Sequence, residues 1–349
     1  MESVNRILIS RMKYIGDIVL TTPIVRAVRE RYSDAFIAYL GDKEAVSLLE
    51  RNPHLNEIIP YDFSRPTLIE QPRVMWLLYK RKFDAVVDLF SNPRSALLMY
   101  ASGAPVRIGK DVKGRGKLYT RRVHDDGKSK TAIQFNYQYM KPLGVEPTHF
   151  RTEIFLTEEE KREARIFLKW QEVDVDKPIV GLHPGATWPA KMWQAEKFAE
   201  LANRLVDRLG VQVVITQGPK EQSLIEEIKK RVAWRVKFLG ALPLRQLAAV
   251  LSQLSVYVAN DSGPMHIAVA VGTKTIGIFG LGEENIWFPY TPPYYDEATG
   301  HIALRKDVPC HPCHLDYCNR GGEDYMECMK RLGVEEVLEE VRKRIDNLC

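Results

Sequence analysis

The sequence predicts an α/β protein built from two doubly wound domains in tandem, each a parallel sheet with helices on both faces. Short apolar runs alternate with helical stretches along the chain, which is the pattern of βαβ units. A length of 349 residues is sufficient for two buried cores. The alternation is interrupted once, by a highly charged stretch around residues 153–177, so we expect the domain boundary there.

The predicted elements follow in order along each half of the chain. The first half comprises strands 6–10, 35–40, 57–60, 85–89 and 106–108, and helices 18–32, 43–51, 73–82, 94–101 and 131–143. The charged stretch contains one helix, 158–172, which precedes the expected boundary. The second half comprises strands 179–182, 212–216, 236–239, 255–259 and 274–279, and helices 195–209, 221–232, 244–254, 265–271 and 334–348. We therefore expect domains at 1–172 and 173–333, and a tail, 334–349, that packs back on the first domain. Ligands of such a pair bind at the carboxyl ends of the strands, in the crevice between the domains.

Composition and missing motifs exclude several classes of protein. The net charge of +5, from 50 basic and 45 acidic residues, is too small for a dedicated nucleic-acid-binding protein. No apolar run approaches the roughly 18 residues that span a bilayer, and the N-terminal residues lack the zones of a signal peptide, so we expect a cytoplasmic location. No GxGxxG joins a strand to a helix and no GxxxxGK[ST] is present, which argues against a dinucleotide cofactor and a P-loop.

The segment 254–280 predicts a strand, a turn, a helix and a second strand. Asp261 or Ser262 can cap the helix, and Pro264 suits its first turn. Gly263 lets a ligand approach the backbone, and His266 lies one turn into the helix. The free N–H groups and the positive end of the helix dipole then form an anion site. An ordinary capped helix is the alternative.

Three further loops of the second half carry candidate donor contacts. In the loop 183–193, Thr187 can donate a hydrogen bond to phosphate, and Lys191 supplies positive charge that would stabilise a departing diphosphate. A surface lysine is the alternative. After the next two strands, Glu221 is a candidate ligand for ribose hydroxyls and Leu242 can pack on a base. Either residue could equally belong to an ordinary turn, which the nearby Gly-Pro and Leu-Pro pairs predict.

In the first half, Asp17 follows the first strand, beside Gly16 and near the start of the first helix. Its carboxylate is either a helix cap or a general base that accepts a proton from an incoming hydroxyl. The segment 110–122 holds six basic residues and one acid, and is either a solvated loop or a contact for phosphate or carboxylate groups of an acceptor or membrane surface. The candidate acceptor contacts are Lys13, Lys113, Arg115 and Lys117.

Four of the five cysteines form a cluster in the sequence. Its members are Cys310, Cys313, Cys318 and Cys328, with His311 and His314 between them. One Cys-x2-Cys is half of a zinc signature, but the second pair lacks the spacing of a common finger. Structural zinc, disulfides and free buried thiols all stay open, and disulfides are disfavoured in a cytosolic protein. Cys349 has no inferred partner.

Three motifs together resemble glycosyltransferase family nine, the ADP-heptose:lipopolysaccharide heptosyltransferases of Gram-negative bacteria. They are RMKYIGDIVLTTP at 11–23, HPGA with PAKMW at 183–186 and 189–193, and NDSGPMH at 260–266. The resemblance covers nearly the whole chain and is greatest to the second heptosyltransferase. It implies a GT-B fold of two Rossmann-like domains whose sheets face each other across a cleft, with the acceptor on the first and the ADP-sugar on the second.

The resemblance also implies an inverting, metal-independent transfer of heptose from ADP-L-glycero-D-manno-heptose to the lipopolysaccharide inner core. Asp17 would be the general base, and Lys191 and Thr187 the phosphate contacts. The donor loop and helix start would be Asp261, Ser262, Gly263 and His266. The implied partners are the ADP-sugar, the core and lipid A acceptor and the inner leaflet of the inner membrane, where the enzyme would be peripheral. Alternatives are a same-fold transferase for another sugar, a sugar-nucleotide epimerase, and a non-catalytic nucleotide-sugar-binding module.

Overall fold

The structure, a computed structural model, describes residues 4–127, 131–288, 299–313 and 315–346. The chain divides into two compact units, Met1–Phe155 and Leu156–Cys349. Each unit contains one sheet of six parallel strands with accompanying helices, which confirms the predicted two-domain α/β fold. Among the described residues, no helix is both long and apolar enough to cross a membrane.

The sheet of the first unit has the strand order β3-β2-β1-β4-β5-β6. Its strands are β1 (Arg6–Arg11), β2 (Phe36–Asp42), β3 (Glu57–Tyr61), β4 (Ala85–Asp88), β5 (Val106–Lys110) and β6 (Arg121–Val123). Its α-helices are α1 (Ile15–Val19), α2 (Thr22–Arg31), α3 (Thr67–Arg81), α4 (Pro93–Ala101) and α5 (Ala132–Gln138). The central strand β1 contributes Ile7, Leu8 and Ile9, all fully buried, as expected for a parallel strand covered on both faces.

The sheet of the second unit has the strand order β12-β11-β10-β7-β8-β9. Its strands are β7 (Ile179–His183), β8 (Gln212–Gln217), β9 (Lys237–Ala241), β10 (Val256–Asn260), β11 (Lys274–Ile278) and β12 (Ile302–Leu304). Its α-helices are α6 (Glu158–Trp170), α7 (Ala195–Leu209), α8 (Gln222–Lys229), α9 (Leu244–Leu251), α10 (Gly263–Ala270), α11 (Glu284–Trp287), α12 (Glu327–Lys330) and α13 (Val334–Asp346).

The second unit begins at Leu156 rather than at residue 173, because α6 packs against α9. The carboxylate of Glu160 in α6 accepts hydrogen bonds from the guanidinium of Arg245 in α9. At the other end of the unit, α13 packs against α7, β10 and β11, where Val337 and Val341 are fully buried in the core.

The first predicted helix, 18–32, is two helices in the structure. Pro23 has no N–H for the carbonyl of Val19, and the hydroxyl of Thr22 donates to that carbonyl instead, at 2.8 Å. Helix α1 therefore ends at Val19. Helix α2 begins at Thr22, with Pro23 in its first turn, where a missing N–H is tolerated.

Helix α3 starts at Thr67, about 1.7 turns earlier than predicted, and Pro72 lies inside it. The additional residues are held by the buried carboxylate of Glu70, which accepts the N–H of Asp62 at 2.9 Å. The short edge strands β6 and β12 were not predicted, since each has only three residues and two of those in β6 are arginines.

Candidate functional site

The donor-side candidates lie at the carboxyl edge of the second sheet, where β10, β7 and β8 are neighbours. In the pairing of β10 with β7, Ala259 lies opposite His183, so the loops that follow these two strands start side by side. The loop after β8 starts next to them, because β7 and β8 are also paired. Parallel pairing thus brings together three segments that are distant in the sequence.

Asn260, the last residue of β10, links two parts of the loop 183–193. Its side-chain N–H donates to the carbonyl of Pro184 at 2.7 Å, and its side-chain oxygen accepts the N–H of Trp193 at 3.0 Å. Asn260 is fully buried, so both bonds lie away from solvent. Sequence reasoning did not select it as a site residue. The available signal was an amide side chain at the end of an otherwise apolar strand.

Lys191 and Asp261 form an ion pair at this edge, with 2.5 Å between Nζ and Oδ2. The side chain of Asp261 is 6% exposed, whereas that of Lys191 is 22% exposed. The N–H of Asp261 donates to the carbonyl of Ile278 at 3.0 Å, which ties the pair to the end of β11. A cation is therefore held immediately before the start of α10.

The start of α10 offers hydrogen-bond donors for an anion. Ser262 occupies the N-cap position with an extended backbone, but its side chain does not cap the helix. Its hydroxyl oxygen is buried and has no hydrogen-bond partner among the described residues. Gly263 is the first helical residue, and His266 is buried one turn later. The free N–H groups of the first turn and this hydroxyl can together donate to oxygens of a phosphate.

Glu221 reaches back toward the loop after β7. Its carboxylate accepts the N–H of Gly218 at 2.7 Å, and its side chain is 17% exposed. A Cβ on Gly185 would lie only 2.0 Å from that carboxylate, so any other residue there would displace the Glu221 side chain. Oε1 of Glu221 is 3.7 Å from Nε2 of His183, and burial lowers the pKa of this histidine. The Glu221 carboxylate, which can accept hydrogen bonds, thus contacts the same loop that carries Lys191.

The two remaining donor-side candidates are more peripheral. Thr187 is exposed to solvent in the loop after β7, and Leu242 is half-buried just after the edge strand β9. Both lie at the carboxyl edge of the sheet, like the residues described above.

On the first unit, Asp17 lies in the first turn of α1 with Gly16. One oxygen of its carboxylate accepts the N–H of Tyr14 at 3.3 Å, as a cap, and the other accepts from the guanidinium of Arg11. Their side chains are 19% and 18% exposed. Arg11 also donates to the carbonyl of Leu89 at 2.5 Å, so it connects the ends of β1 and β4. The carboxylate is oriented but still reachable by solvent.

The basic segment 110–122 is anchored at the end of β4. The hydroxyl of Tyr119 donates to the fully buried carboxylate of Asp88 at 2.7 Å, and burial raises the pKa of Asp88. Nε of Arg115 donates to the carbonyl of Ser91 at 2.8 Å. Since β4 is paired with β1, the segment starts at the same edge of the sheet as Asp17.

The other acceptor-side candidates are cations with little restraint. Lys113 and Lys117 are exposed in this anchored segment. Nζ of Lys13 lies 4.1 Å from the centre of the ring of Phe63. These three ammonium groups can attract an acidic acceptor without the orientation that Arg115 has.

The four clustered cysteines are free, half-buried thiols in the structure. Burial raises the pKa of Cys328, and the three other cysteine sulfurs nearby add to the effect. Within the ranges that the structure describes, no group of three or more His, Cys, Asp or Glu side chains is arranged to hold a metal ion. His314 and Cys349 lie outside the described residues.

Comparison with known families gives one match that spans most of the chain. The model of glycosyltransferase family 9 (heptosyltransferase) matches residues 73–316. This span contains the donor-side loops and begins after Asp17.

Comparison with individual proteins agrees with the family match. Lipopolysaccharide heptosyltransferase 3 of Escherichia coli is 27% identical over 80% of this chain and 85% of its own length. Lipopolysaccharide heptosyltransferase 2 of E. coli K12 is 27% identical over 86% of this chain and 90% of its own. The solved structure of E. coli ADP-heptose lps heptosyltransferase II superposes with a TM-score of 0.79, at 23% identity, over 98% of this chain and 99% of that one.

Proposed function

The chain belongs to glycosyltransferase family 9 and is a glycosyltransferase, and from this premise we propose that it transfers heptose from ADP-L-glycero-D-manno-heptose to the lipopolysaccharide inner core. The names of the relatives support the sugar and the acceptor class. The observation that carries the donor assignment is the Lys191–Asp261 pair directly before the uncapped first turn of α10.

In the proposed donor complex, the diphosphate binds the N–H groups at the start of α10 and the hydroxyl of Ser262. Lys191 turns from Asp261 to a phosphate oxygen and stabilises the charge that develops on the departing ADP. Thr187 donates to the same diphosphate, Glu221 accepts from the ribose hydroxyls, and Leu242 packs on the base. His266 supports the helix start.

Asp17 acts as the general base in this proposal. Its carboxylate takes the proton of the acceptor hydroxyl as that oxygen bonds to the anomeric carbon of the donor. The bond from the anomeric carbon to the phosphate oxygen breaks, and its electron pair leaves with ADP. Attack opposite the leaving group inverts the anomeric configuration. Lys13, Lys113, Arg115 and Lys117 attract the acidic sugars and phosphates of the acceptor.

We further propose that the transfer proceeds without a divalent cation or other cofactor and takes place at the inner face of the inner membrane. Support for the first point is the presence of Lys191 and free backbone N–H groups where a phosphate-binding metal would otherwise act. The proposed location at the membrane is supported by the names of the relatives, which give lipopolysaccharide as the acceptor class. The lipid part of that acceptor lies in a membrane.

The test is incubation of the purified full chain with ADP-heptose and a core lipid acceptor, with and without EDTA. We expect ADP release, an acceptor heavier by one heptose, an inverted anomeric configuration by NMR, and no loss with EDTA. Absence of ADP release, or donor binding without transfer, would overturn the proposed activity. Faster transfer from another ADP-sugar would overturn the assignment of heptose.

A further inference from the structure

The outer faces of α3 and α4 on the first unit carry large apolar side chains in solvent. On α3, Leu68 is 90% exposed and Trp76 62% exposed. The complete set, here called the α3–α4 face, is Leu68, Ile69, Trp76, Tyr79, Leu97 and Tyr100. Soluble proteins rarely expose such side chains in a group unless the surface binds something.

The two helices run side by side, so their exposed side chains form one surface. At their starts, Arg94 donates to the hydroxyl of Thr67 at 3.1 Å, and Gln71 donates to the carbonyl of Arg94 at 3.0 Å. At their ends, a Cβ on Gly103 would lie 3.6 Å from the ring of Tyr79. The helices are therefore in contact near both ends of α4.

The charges of this surface have one sign. Glu70 is the only carboxylate in the sequences of α3 and α4, and it is fully buried and bonded to Arg73. Exposed cations flank the apolar residues. Lys80 lies 5.2 Å from the ring of Trp76, and Lys82 follows the end of α3. Exposed indole and phenol rings beside ammonium groups suit the boundary between lipid headgroups and acyl chains.

Exposed helices of the second unit differ in this respect. The outer face of α6 contains Trp170, which is 81% exposed. This helix carries both acidic and basic side chains, and they pair with each other, as Lys161 does with Glu158. Such a surface has no preference for an anionic partner. Of these two faces, the α3–α4 face is therefore the one whose charge suits an anionic partner.

The α3–α4 face also adjoins the acceptor side of the proposed site. The ring of Phe63 lies 4.1 Å from Nζ of Lys13 and 5.3 Å from the guanidinium of Arg94. Lys13 lies in the loop just before α1, whose first turn carries Asp17, and Arg94 lies in the first turn of α4. A surface that held the protein on a bilayer through α3 and α4 would keep that loop next to the headgroups.

We propose that the α3–α4 face docks the enzyme on a bilayer surface that contains anionic phospholipids. The apolar side chains enter the headgroup boundary, and the flanking cations bind the lipid phosphates. This inference rests on the proposed function for its purpose, but vesicle binding can be measured without any transfer reaction.

The test uses the full chain with phosphatidylcholine vesicles, with and without phosphatidylglycerol, in a flotation assay. We expect the protein to float with the anionic vesicles, less with the neutral ones, and less again as salt is raised. The double variant Trp76→Ser and Tyr79→Ser should lower the partition coefficient by about tenfold or more. The matched control is Trp170→Ser with Trp234→Ser, which removes two equally exposed indoles from the second unit and should bind like the unaltered chain.

Three results would overturn the docking proposal. These are failure of the unaltered chain to bind anionic vesicles, equal binding by the two double variants, and a dimer in solution that the Trp76 and Tyr79 changes abolish without any vesicle binding. A deacylated, water-soluble core acceptor separates this proposal from the proposed function. The Trp76 and Tyr79 variant should transfer heptose to it at the unaltered rate, whereas failure of the unaltered chain in that assay would contradict only the proposed function.

Discussion

At the carboxyl edge of each sheet, one ion pair contains a proposed reacting group, and the two pairs differ in which partner we expect to act. In the first unit the acid Asp17 is the proposed reacting group, and Arg11 orients it. In the second unit the cation Lys191 is the proposed reacting group, and the more deeply buried Asp261 orients it. An opposite charge thus positions the acting group in both places. The first pair serves proton transfer, and the second serves charge stabilisation.

The largest effect is expected from Asp17→Asn, which keeps the shape of the side chain but removes its basicity. We predict that kcat falls by about 10³-fold, within the usual range for a general base. The measurement is ADP release under saturating substrates. Asp34→Asn, which changes an exposed carboxylate of the same unit, is the control and should keep full turnover. Full activity of Asp17→Asn would remove the base from the mechanism.

Lys191→Met should have the next largest effect, because it removes the charge opposite the diphosphate. We predict a loss of about 10²-fold in kcat/KM, the size expected for a charged hydrogen bond. The variant should also be less stable, since it leaves Asp261 buried without its cation. Adding Asp261→Asn should restore the melting temperature but not the activity. If the double variant recovered activity, the role of Lys191 would be structural.

Substitution of Arg11 tests whether the orientation of the Asp17 carboxylate affects kcat. Arg11→Gln removes the cation that holds Asp17 and should lower kcat by about tenfold while the KM for the donor stays the same. Arg11→Lys retains the charge and should recover part of the loss. A change confined to KM would show that Arg11 binds substrate instead.

The pH dependence of the free energy of unfolding tests whether His183, at the end of β7, is buried in its neutral form. Burial lowers its pKa below the ordinary value of 6.5, so the unfolded chain binds a proton more readily than the folded one. This contribution to the free energy of unfolding is therefore intact above pH 6.5 and is lost as pH falls below it, by at most about 1.4 kcal/mol per pH unit. His183→Asn should flatten the difference between pH 7 and pH 5 in denaturant titrations. An unchanged slope would contradict a buried neutral imidazole.

The smallest effect is expected from the exposed lysines of the basic segment. The double variant Lys113→Gln and Lys117→Gln should raise the KM for the acceptor by about threefold at low salt, and the difference should vanish at high salt. Lys177→Gln, at the opposite edge of the second sheet, should have no effect. An equally large effect in high salt would indicate specific contacts rather than general attraction.

The sequence predicted well what depends on neighbouring residues. The buried parallel strands are continuous apolar runs, and the turn at Asp261 and Ser262 has its own local signature, so both could be recognised without coordinates. The family resemblance rested on the same contiguous motifs.

What the sequence did not predict depends on contacts between distant segments. The fit of the Glu221 carboxylate against Gly185 and the two bonds of Asn260 exist only because β10, β7 and β8 are paired in that order. Similarly, α6 belongs to the second unit because it packs on α9, whereas the sequence predicted a domain boundary after this helix, between residues 172 and 173. The roles of Asp17 and Lys191 in transfer stay predictions until they are measured.

Donor affinity tests most directly whether the second unit binds the donor while the first unit supplies the general base. Titration calorimetry of ADP-heptose should be carried out on the unaltered chain, Asp17→Asn and Lys191→Met. We predict that Asp17→Asn binds the donor like the unaltered chain, whereas Lys191→Met binds it about tenfold or more weakly. Equal weakening in both variants would contradict the assignment of the donor to the second unit and of the base to the first.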